Sequence, residues 1–466
     1  MKRLANLGAR LGLGDELGRM LARGVGAALL VRVGGMASSL ALYLVLARLL
    51  EPTGFGHYAL ALSWLNVLAM VATLGTDNGA LRFVAQYRIG GAWAELRGYQ
   101  LLASRLSLIV GAMLAVVAAL VAVLALQGAA AWTFAIVFMA IPFVAQIAQR
   151  QAVLRAYGSV IAALVPEQVA RPVIMVILLV ALAAAAPVVA PMLATGVATG
   201  VATGVATGVA TGVTPLGAAA CLLGATLCSF ALGRWLLAQR QPPQLKATAP
   251  RYDTALWLRT ALRLGVFSWL YALVRQMDLL MVGALSPIQD AGVYAVATRC
   301  ADIAIFVSLA IDAIIAPLVA RLHAEGDRVR LGTLVRRGAR IALALTAPTC
   351  IALWLAGPWV LSWFGATYSA GYAPLAILLA GQLLAAATGY GTYLLTMTGR
   401  ETDALVLLLA AVVVDVLANL VLIPLYGNVG AAGATLLTAL VWRWGCVLLA
   451  WWRLGINPLP FGRLLR

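Results

Sequence analysis

The chain has 466 residues, of which 63% are hydrophobic and 11% are charged, and its formal net charge is +17. A soluble domain would alternate apolar and polar residues along each helix, because one face must meet water, but whole turns of this chain lack a polar residue. The basic residues are scattered over many short loops, so we expect them to set membrane topology and expect no nucleic-acid partner.

The N-terminal segment, residues 1–24, is basic and amphipathic. We expect it to form a helix on the cytoplasmic membrane surface and not a cleavable signal peptide. Twelve apolar runs follow, each long enough to cross a hydrocarbon core of roughly 30 Å as a helix. The predicted spans are 25–48, 56–77, 105–126, 131–149, 162–187, 215–235, 261–283, 292–316, 340–362, 373–397, 404–424 and 431–452.

The loops between these spans differ in charge. Even-numbered connections carry the basic residues, for example Arg150 and Arg155 after the fourth span, whereas Arg48 is the exception near the odd-numbered side. Lys and Arg are enriched in cytoplasmic loops, so the even-numbered connections are expected in the cytoplasm. With an even number of spans, both termini then lie in the cytoplasm as well. We predict an all-α, multi-pass protein of a bacterial-type inner membrane with about 12 transmembrane helices.

The segment between Arg171 and Arg234 contains no charged residue, and within it ATGV is repeated five times over 194–213. A further span here would move the basic loop 234–259 outside, so we interpret the repeat as an external insertion between spans five and six. Its glycines recur every four residues and would form a small-residue stripe on a helix. The alternative is a tandem-repeat expansion without function.

The two halves of the chain resemble each other. Gly56-His57-Tyr58-Ala59 opens the second span and Gly292-Val293-Tyr294-Ala295 opens the eighth, each after a short turn that contains a proline. The offset covers six helices, so the copies share one orientation. This predicts a parallel pseudo-twofold repeat about the membrane normal, which is typical of alternating-access transporters.

The repeat divides the chain into a predicted set of domains. We expect two six-helix bundles joined by a cytoplasmic linker that is rich in proline and charge, and a cytoplasmic tail. The predicted bounds are 25–236 for the first bundle, 237–258 for the linker, 259–453 for the second bundle and 454–466 for the tail.

Four segments resemble polysaccharide flippases. They are ARLLEPTGFGHYA at 47–59, DLLMVG with AGVY at 278–283 and 291–294, WFG with the following Tyr368 at 363–368, and NLVLIPLYG with GAA at 419–427 and 430–432, the last being the most specific. Together they cover about residues 40 to 440. The chain thus resembles the Wzx-type O-antigen and exopolysaccharide flippases, in the MOP superfamily with MATE drug exporters and lipid II flippases.

The resemblance implies a MATE-like fold. It also implies that the substrate is a polyprenyl-diphosphate-linked oligosaccharide, an O-antigen, capsule or exopolysaccharide repeat unit, carried from the inner to the outer leaflet by alternating access. Membrane lipids, a polysaccharide polymerase and a chain-length protein are the expected partners. No cofactor is expected, although H⁺ or Na⁺ is a candidate coupling ion.

Charged residues inside the membrane are the candidate site residues, because each costs about 2.5–3.5 kcal/mol to insert and should face a cavity or a partner. Arginine binds phosphate oxygens bidentately. The candidates for substrate diphosphate are Arg32, Arg171, Arg275 and Arg299. The candidate coupling or ion-pair carboxylates are Glu167, Asp278 and Asp302, and further candidates are Asp312, Asp415 and Arg443. Asp415 and Asn419 share a face of the eleventh span, where they would bond a neighbouring helix.

Three pairs of these residues have the spacing of helix neighbours: Glu167/Arg171, Arg275/Asp278 and Arg299/Asp302. Each pair either neutralises itself and fixes neighbouring helices, or releases its arginine to an incoming diphosphate. Arg32 has no partner within one turn. It either contacts the substrate or extends its side chain toward the cytoplasmic surface.

Two other functions stay open. A MATE-type ion-coupled drug or cation antiporter shares the superfamily, but basic residues inside the membrane favour an anionic head group. A membrane glycan polymerase or ligase would carry a long outer loop with Arg, His or acidic residues, whereas the long outer loop here is uncharged. No GxxxxGK[ST], HExxH or GxSxG motif occurs and the cysteines are isolated, so we expect neither an enzyme nor a metal site.

Overall fold

The computed structural model describes residues 15–194 and 213–460, and the secondary structure in these ranges is helical. The first ten helices are α1 (Asp15–Leu49), α2 (Pro52–Ala72), α3 (Thr76–Ile89), α4 (Trp93–Ala125), α5 (Gly128–Phe138), α6 (Ile141–Ala156), α7 (Val160–Val165), α8 (Arg171–Ala194), α9 (Pro215–Arg240) and α10 (Pro243–Ala247). The others are α11 (Thr254–Leu285), α12 (Ile288–Ala324), α13 (Arg328–Phe364), α14 (Tyr372–Ala387), α15 (Gly391–Met397) and α16 (Glu401–Leu454).

Nine helices of the described residues are long and apolar enough to cross a membrane. This confirms the prediction of an all-α, multi-pass membrane protein. The count of twelve spans and the cytoplasmic position of the termini stay predictions.

The chain divides into two compact units, one up to Gln276 and the other from Met277 onward. The boundary falls within α11, whose first part packs in the first unit. There Trp257 is buried, and its Nε1 donates to Tyr87 Oη over 2.9 Å. Trp269 Nε1, three turns later, donates to the Met70 carbonyl over 3.1 Å.

Some predicted spans are interrupted helices. The fourth span consists of α5 and α6, separated at 139–140, and Pro142 stands in the first turn of α6. The fifth span contains α7, a π-helix at Pro166–Ala170 and α8. Proline lacks an amide donor and is tolerated where a helix begins, so these breaks occur at places that the sequence already marks.

The eleventh and twelfth predicted spans both lie in α16, which reverses direction at Gly427. This residue has φ 55° and ψ −131°, a non-helical conformation that glycine adopts readily. Asp415 and Thr438 would be roughly 35 Å apart in a straight helix, but their side chains are hydrogen-bonded over 2.9 Å. The two halves of α16 therefore form an antiparallel hairpin.

Helix α4 packs through small residues and turns its large residues outward. Its buried stripe repeats every four residues and consists of Ala103, Ser107, Gly111, Ala115 and Ala119. Large apolar side chains on the rest of the helix are exposed, among them Ile109, Met113, Val117 and Leu124. Small residues let membrane helices approach closely, and lipid covers the apolar remainder.

The predicted internal repeat has a local counterpart in each unit. Tyr58 near the start of α2 and Tyr294 near the start of α12 are both almost fully buried. The Tyr58 hydroxyl donates to Met175 Sδ over 3.5 Å, and the Tyr294 hydroxyl lies 3.1 Å from Thr435 Oγ1. Each tyrosine thus bonds inside its own unit, to the fifth predicted span in the first and to the twelfth in the second.

Three predicted segments lie wholly or partly outside the described residues, which exclude 1–14, 195–212 and 461–466. They are the N-terminal surface helix, the ATGV insertion and the tail. Helix α1 begins at Asp15 and continues unbroken into the first predicted span. The predicted linker contains the end of α9, the short helix α10 and an irregular stretch before α11.

Gly111→Leu tests the small-residue packing of α4. A Cβ at this position would lie 2.8 Å from Pro142 Cα, so a larger side chain forces α4 away from α6. We expect the free energy of unfolding to fall by about 1–3 kcal/mol, as for overpacked cores. The measurement is the temperature at which the purified protein is no longer monodisperse, which should be lower. Val117→Leu on the exposed face should change this temperature little. Equal effects of the two substitutions would contradict the packing described.

Candidate functional site

The charged residues predicted inside the membrane fall in both units. The first unit holds Arg32, Glu167, Arg171 and Arg275. The second unit holds Asp278, Arg299, Asp302, Asp312, Asp415 and Arg443. The side chain of Asp312 lies outside the described residues, so its role stays a prediction.

Asp278 is the centre of a polar cluster in the second unit. Asn419 Nδ2 donates to its Oδ1 over 2.8 Å, and Thr435 Oγ1 donates to its Oδ2 over 2.7 Å. Both carboxylate oxygens thus accept bonds from α16, and the pairing with Arg275 stays a prediction. Arg275 itself is exposed on α11.

Asp415 is the second carboxylate of this cluster and is 2% exposed. Its Oδ1 accepts from Thr438 Oγ1 over 2.9 Å. Its Oδ2 and Asn419 Oδ1 are buried without a hydrogen-bond partner among the described residues. Two buried acceptors without a donor are a place for a proton or a cation.

Asn419 Nδ2 donates to Asp278 Oδ1 over 2.8 Å and to the Asp415 carbonyl over 3.0 Å, so one amide connects the two aspartates. Two like charges in one such cluster cannot both stay ionised in a medium of low dielectric constant unless something positive lies with them. Oxygen ligands from carboxylate, amide and hydroxyl groups suit a hard cation such as Na⁺. The arrangement can therefore hold either one shared proton or one monovalent cation.

The hairpin in α16 assembles this cluster. Asp415 and Asn419 share a face of its first half, as the sequence predicted, and Thr435 and Thr438 lie on the facing side of its second half. Sequence reasoning missed both threonines. They could have been found by placing the turn at Gly427, because Asp415 and Thr438 are nearly equidistant from it along the chain.

Arg299 and Asp302 form the ion pair that their spacing predicted. Arg299 Nη1 lies 3.2 Å from Asp302 Oδ2, and the two side chains are 33% and 22% exposed. The pair is accessible enough for another anion to compete for the arginine. Arg443 is half-buried on the second half of α16.

Glu167 and Arg171 do not form the expected pair among the described residues. The π-helix at Pro166–Ala170 changes the turn between them, so the spacing of an α-helix no longer applies. Arg171 Nη1 is buried without a hydrogen-bond partner in the part of the chain that the structure describes. A buried guanidinium donor in this state requires an acceptor, and an anion would supply one.

Glu167 is instead connected to Arg155 through Gln151. With its amide turned to satisfy both neighbours, Gln151 donates to Glu167 Oε2 over 3.2 Å and accepts from Arg155 Nη2 over 3.1 Å. Sequence analysis assigned Arg155 to a cytoplasmic connection, but the end of α6 brings it to Glu167.

Arg32 lies close to the same group of residues. It is half-buried on α1. One turn later, Gly35 packs so closely on the π-helix that a Cβ there would lie 2.8 Å from the Gln168 carbonyl oxygen. Arg32, Arg155, Glu167 and Arg171 are called the basic cluster below.

The described residues contain no group of three or more His, Cys, Asp or Glu side chains that could hold a metal ion. The polar clusters found are the carboxylate pair of the second unit and the basic cluster of the first.

Two family models match the chain. Residues 21–323 match the model described as polysaccharide biosynthesis protein, and residues 265–421 match the model named MatE. A comparison with curated protein sequences finds no match.

Solved structures share the fold at low identity. The chain is similar to an inward-facing multidrug resistance MATE family transporter of the MOP superfamily, with a TM-score of 0.69, 15% identity and coverage of 93% of this chain and 99% of that chain. It is also similar to a MOP superfamily transporter from Pyrococcus furiosus, with a TM-score of 0.65, 14% identity and coverage of 94% and 96%.

A third similar structure is the lipid II flippase MurJ in an inward closed conformation. Its TM-score is 0.62 at 12% identity, and the match covers 91% of this chain and 86% of that chain. These identities show the fold alone. The predicted MATE-like fold and the resemblance to the MOP superfamily are confirmed.

Thr438→Val tests the bond that holds Asp415. The substitution keeps the shape of the side chain but leaves a buried carboxylate oxygen without its donor, so we expect a loss of stability of about 1–3 kcal/mol. Thr349→Val is the matched control, because Thr349 Oγ1 donates only to the Leu345 carbonyl of its own helix. Thermal unfolding of both purified variants checks this, and equal midpoints would contradict the cluster.

Proposed function

The chain belongs to the polysaccharide biosynthesis protein family, and from this premise we propose that it is a flippase for a lipid-linked glycan. Its substrate would be a polyprenyl-diphosphate-linked oligosaccharide, moved from the inner to the outer leaflet of the cell inner membrane by alternating access. The matched structures are transporters and flippases, and the proposed activity breaks no covalent bond.

The observation that carries the proposal is the unpartnered guanidinium N–H of Arg171 in the basic cluster. A diphosphate needs cations, and Arg presents a planar fork of donors that matches phosphate oxygens. In a site of low dielectric constant this attraction is much stronger than in water. The cluster has three arginines and one glutamate, so its charge favours an anionic head group.

Glu167 has a defined place in this proposal. Without substrate it compensates part of the positive charge through Gln151 and Arg155. When a diphosphate binds, the arginines gain stronger acceptors and the Glu167 contact becomes dispensable. Arg275 and Arg299 stay further candidates for later stages of the passage, since Arg275 is exposed and the ion pair of Arg299 with Asp302 is partly accessible.

The carboxylate pair of the second unit is the proposed coupling site. A proton or Na⁺ between Asp278 and Asp415 would remove their mutual repulsion. Its entry and exit would change the hydrogen bonds that connect α11 with both halves of α16. The pair can thus convert an ion gradient into a change of helix packing.

A second candidate is a MATE-type ion-coupled antiporter of drugs or cations. The MatE match over 265–421, which includes Asp278 and Asp415, favours it. A cationic substrate would be repelled by the basic cluster of the first unit, which is why the glycan flippase is preferred. We further propose that a polysaccharide polymerase and a chain-length protein receive the product on the outer leaflet.

Arg171→Gln tests the substrate contact. We expect surface glycan to fall at least about tenfold, the effect of one lost charge-assisted hydrogen bond or more, while polyprenyl-diphosphate-linked repeat units accumulate on the cytoplasmic leaflet. The control is Arg105→Gln, which removes the same charge from an exposed position on α4. Complementation of a deletion strain measures both. Normal export by the Arg171 variant would refute the contact, and drug sensitivity with normal glycan would favour the antiporter.

Asp415→Asn tests the coupling site. If Na⁺ binds there, Na⁺ in place of K⁺ should stabilise the purified wild-type protein, by about 2.7 kcal/mol at a hundred times the dissociation constant, and the variant should lose this gain. Asp290→Asn, which removes a charge outside the cluster, should keep it. A shared proton would make the variants differ with pH and not with Na⁺. If neither Na⁺ nor pH distinguishes them, the coupling site is excluded.

A further inference from the structure

A second polar site lies inside the first unit, lined by residues other than those of the basic cluster. It is a cavity of about 420 Å³ bounded by α4, α6 and α9, at the ends of these helices that the charge pattern places on the cytoplasmic side. None of the residues of the basic cluster or of the carboxylate pair lines it.

The lining of this cavity is strongly basic. Arg97, Arg150 and Arg234 line it, and its thirteen lining residues include no Asp or Glu. Arg97 Nη1 donates to the Thr248 carbonyl over 2.6 Å. The guanidinium of Arg150 lies 4.0 Å from the centroid of the Phe230 ring. Both of these contacts are with neutral groups, and they hold the two guanidinium groups in place.

A buried amide donor points to a ligand in the same cavity. Gln149 is 3% exposed, and its Oε1 accepts from Thr76 Oγ1 over 3.1 Å. Its Nε2 is buried and has no hydrogen-bond partner among the described residues. Buried donors are normally satisfied, so an acceptor brought by a ligand would complete this site.

We propose that this cavity binds the phosphate group of an anionic ligand from the cytoplasmic side. Arginine guanidinium groups and an amide N–H are the donors that phosphate oxygens need. The other lining residues are partly polar, such as Gln100 and Gln146, and partly apolar, among them Leu101, Val153 and Leu237. A phosphate joined to an apolar body, such as an anionic phospholipid of the inner leaflet, fits both parts of the lining, and free inorganic phosphate shares the polar half of this chemistry.

The occupied site would stabilise the first unit. A bound phosphate would connect α4, α6 and α9 through one ligand and would offset the repulsion between neighbouring arginines. None of the residues proposed to contact the glycan lipid lines the cavity, so the test of this site does not depend on glycan export.

Native mass spectrometry of the detergent-purified protein can test the site, with phosphatidylglycerol and the zwitterionic phosphatidylcholine as probes and inorganic phosphate as competitor. We expect several-fold preference for phosphatidylglycerol. Arg234→Gln should weaken its binding about tenfold, the effect of one lost charge-assisted contact, and Arg150→Gln with Arg234→Gln more. Arg240→Gln on the same helix α9, which does not line the cavity, is the matched control and should bind as the wild type does.

Gln149→Leu distinguishes binding in the cavity from general electrostatic attraction of the anionic lipid to the protein. It removes the amide donor without changing the net charge. Weaker binding by this variant and by Arg234→Gln, each eluting as the wild type does in size exclusion, supports the site. If inorganic phosphate binds with the same dependence on these residues and phosphatidylglycerol does not, the ligand is a soluble phosphate. Equal retention of both probes by the Arg150/Arg234, Gln149 and Arg240 variants would overturn the proposal.

Discussion

A polar side chain inside the hydrocarbon layer has no water to bond, and this constraint governs the placement of every polar group discussed above. In the second unit, two carboxylates receive donors from three side chains of α16. In the first unit, one glutamate is connected to Arg155 through a glutamine. The few atoms left without a partner then mark where a ligand, a proton or an ion would complete the set.

Breaks in the helices bring these groups together. The reversal at Gly427 places Thr438 beside Asp415, and the π-helix at Pro166–Ala170 turns Glu167 away from Arg171. Regular helices with the same sequence would leave each charged residue with its nearest helical neighbour. Irregular backbone therefore converts pairs that would neutralise themselves into clusters that retain binding capacity.

The sequence predicted the fold well because length, hydropathy and loop charge report directly on membrane spans. It predicted the Arg299–Asp302 pair and the common face of Asp415 and Asn419, because both depend only on helix periodicity. It could not predict that Asp278 would bond to Asn419, since that contact depends on how two distant helices pack. The role of Gln151 was equally hidden, because a neutral residue at the end of a span carries no signal of its own.

In the proposed mechanism the first unit binds the substrate head group and the second unit binds the coupling ion. The basic cluster of the first unit carries positive charge that suits a diphosphate, and the carboxylate pair of the second unit carries negative charge that suits a proton or Na⁺. Because the charges are opposite, one unit does not compete for the ligand of the other. The same local motif, a buried tyrosine near the start of α2 and of α12, supports each unit.

Transport by the purified protein in proteoliposomes tests the central claim most directly. A polyprenyl-diphosphate-linked sugar placed on both leaflets is exposed to an impermeant enzyme that modifies only the outer one. If the protein translocates this lipid, the modified fraction of the lipid should rise above one half and approach completeness. In protein-free vesicles the modified fraction should stay at one half. Modification that stops at half with the folded protein present would contradict the account.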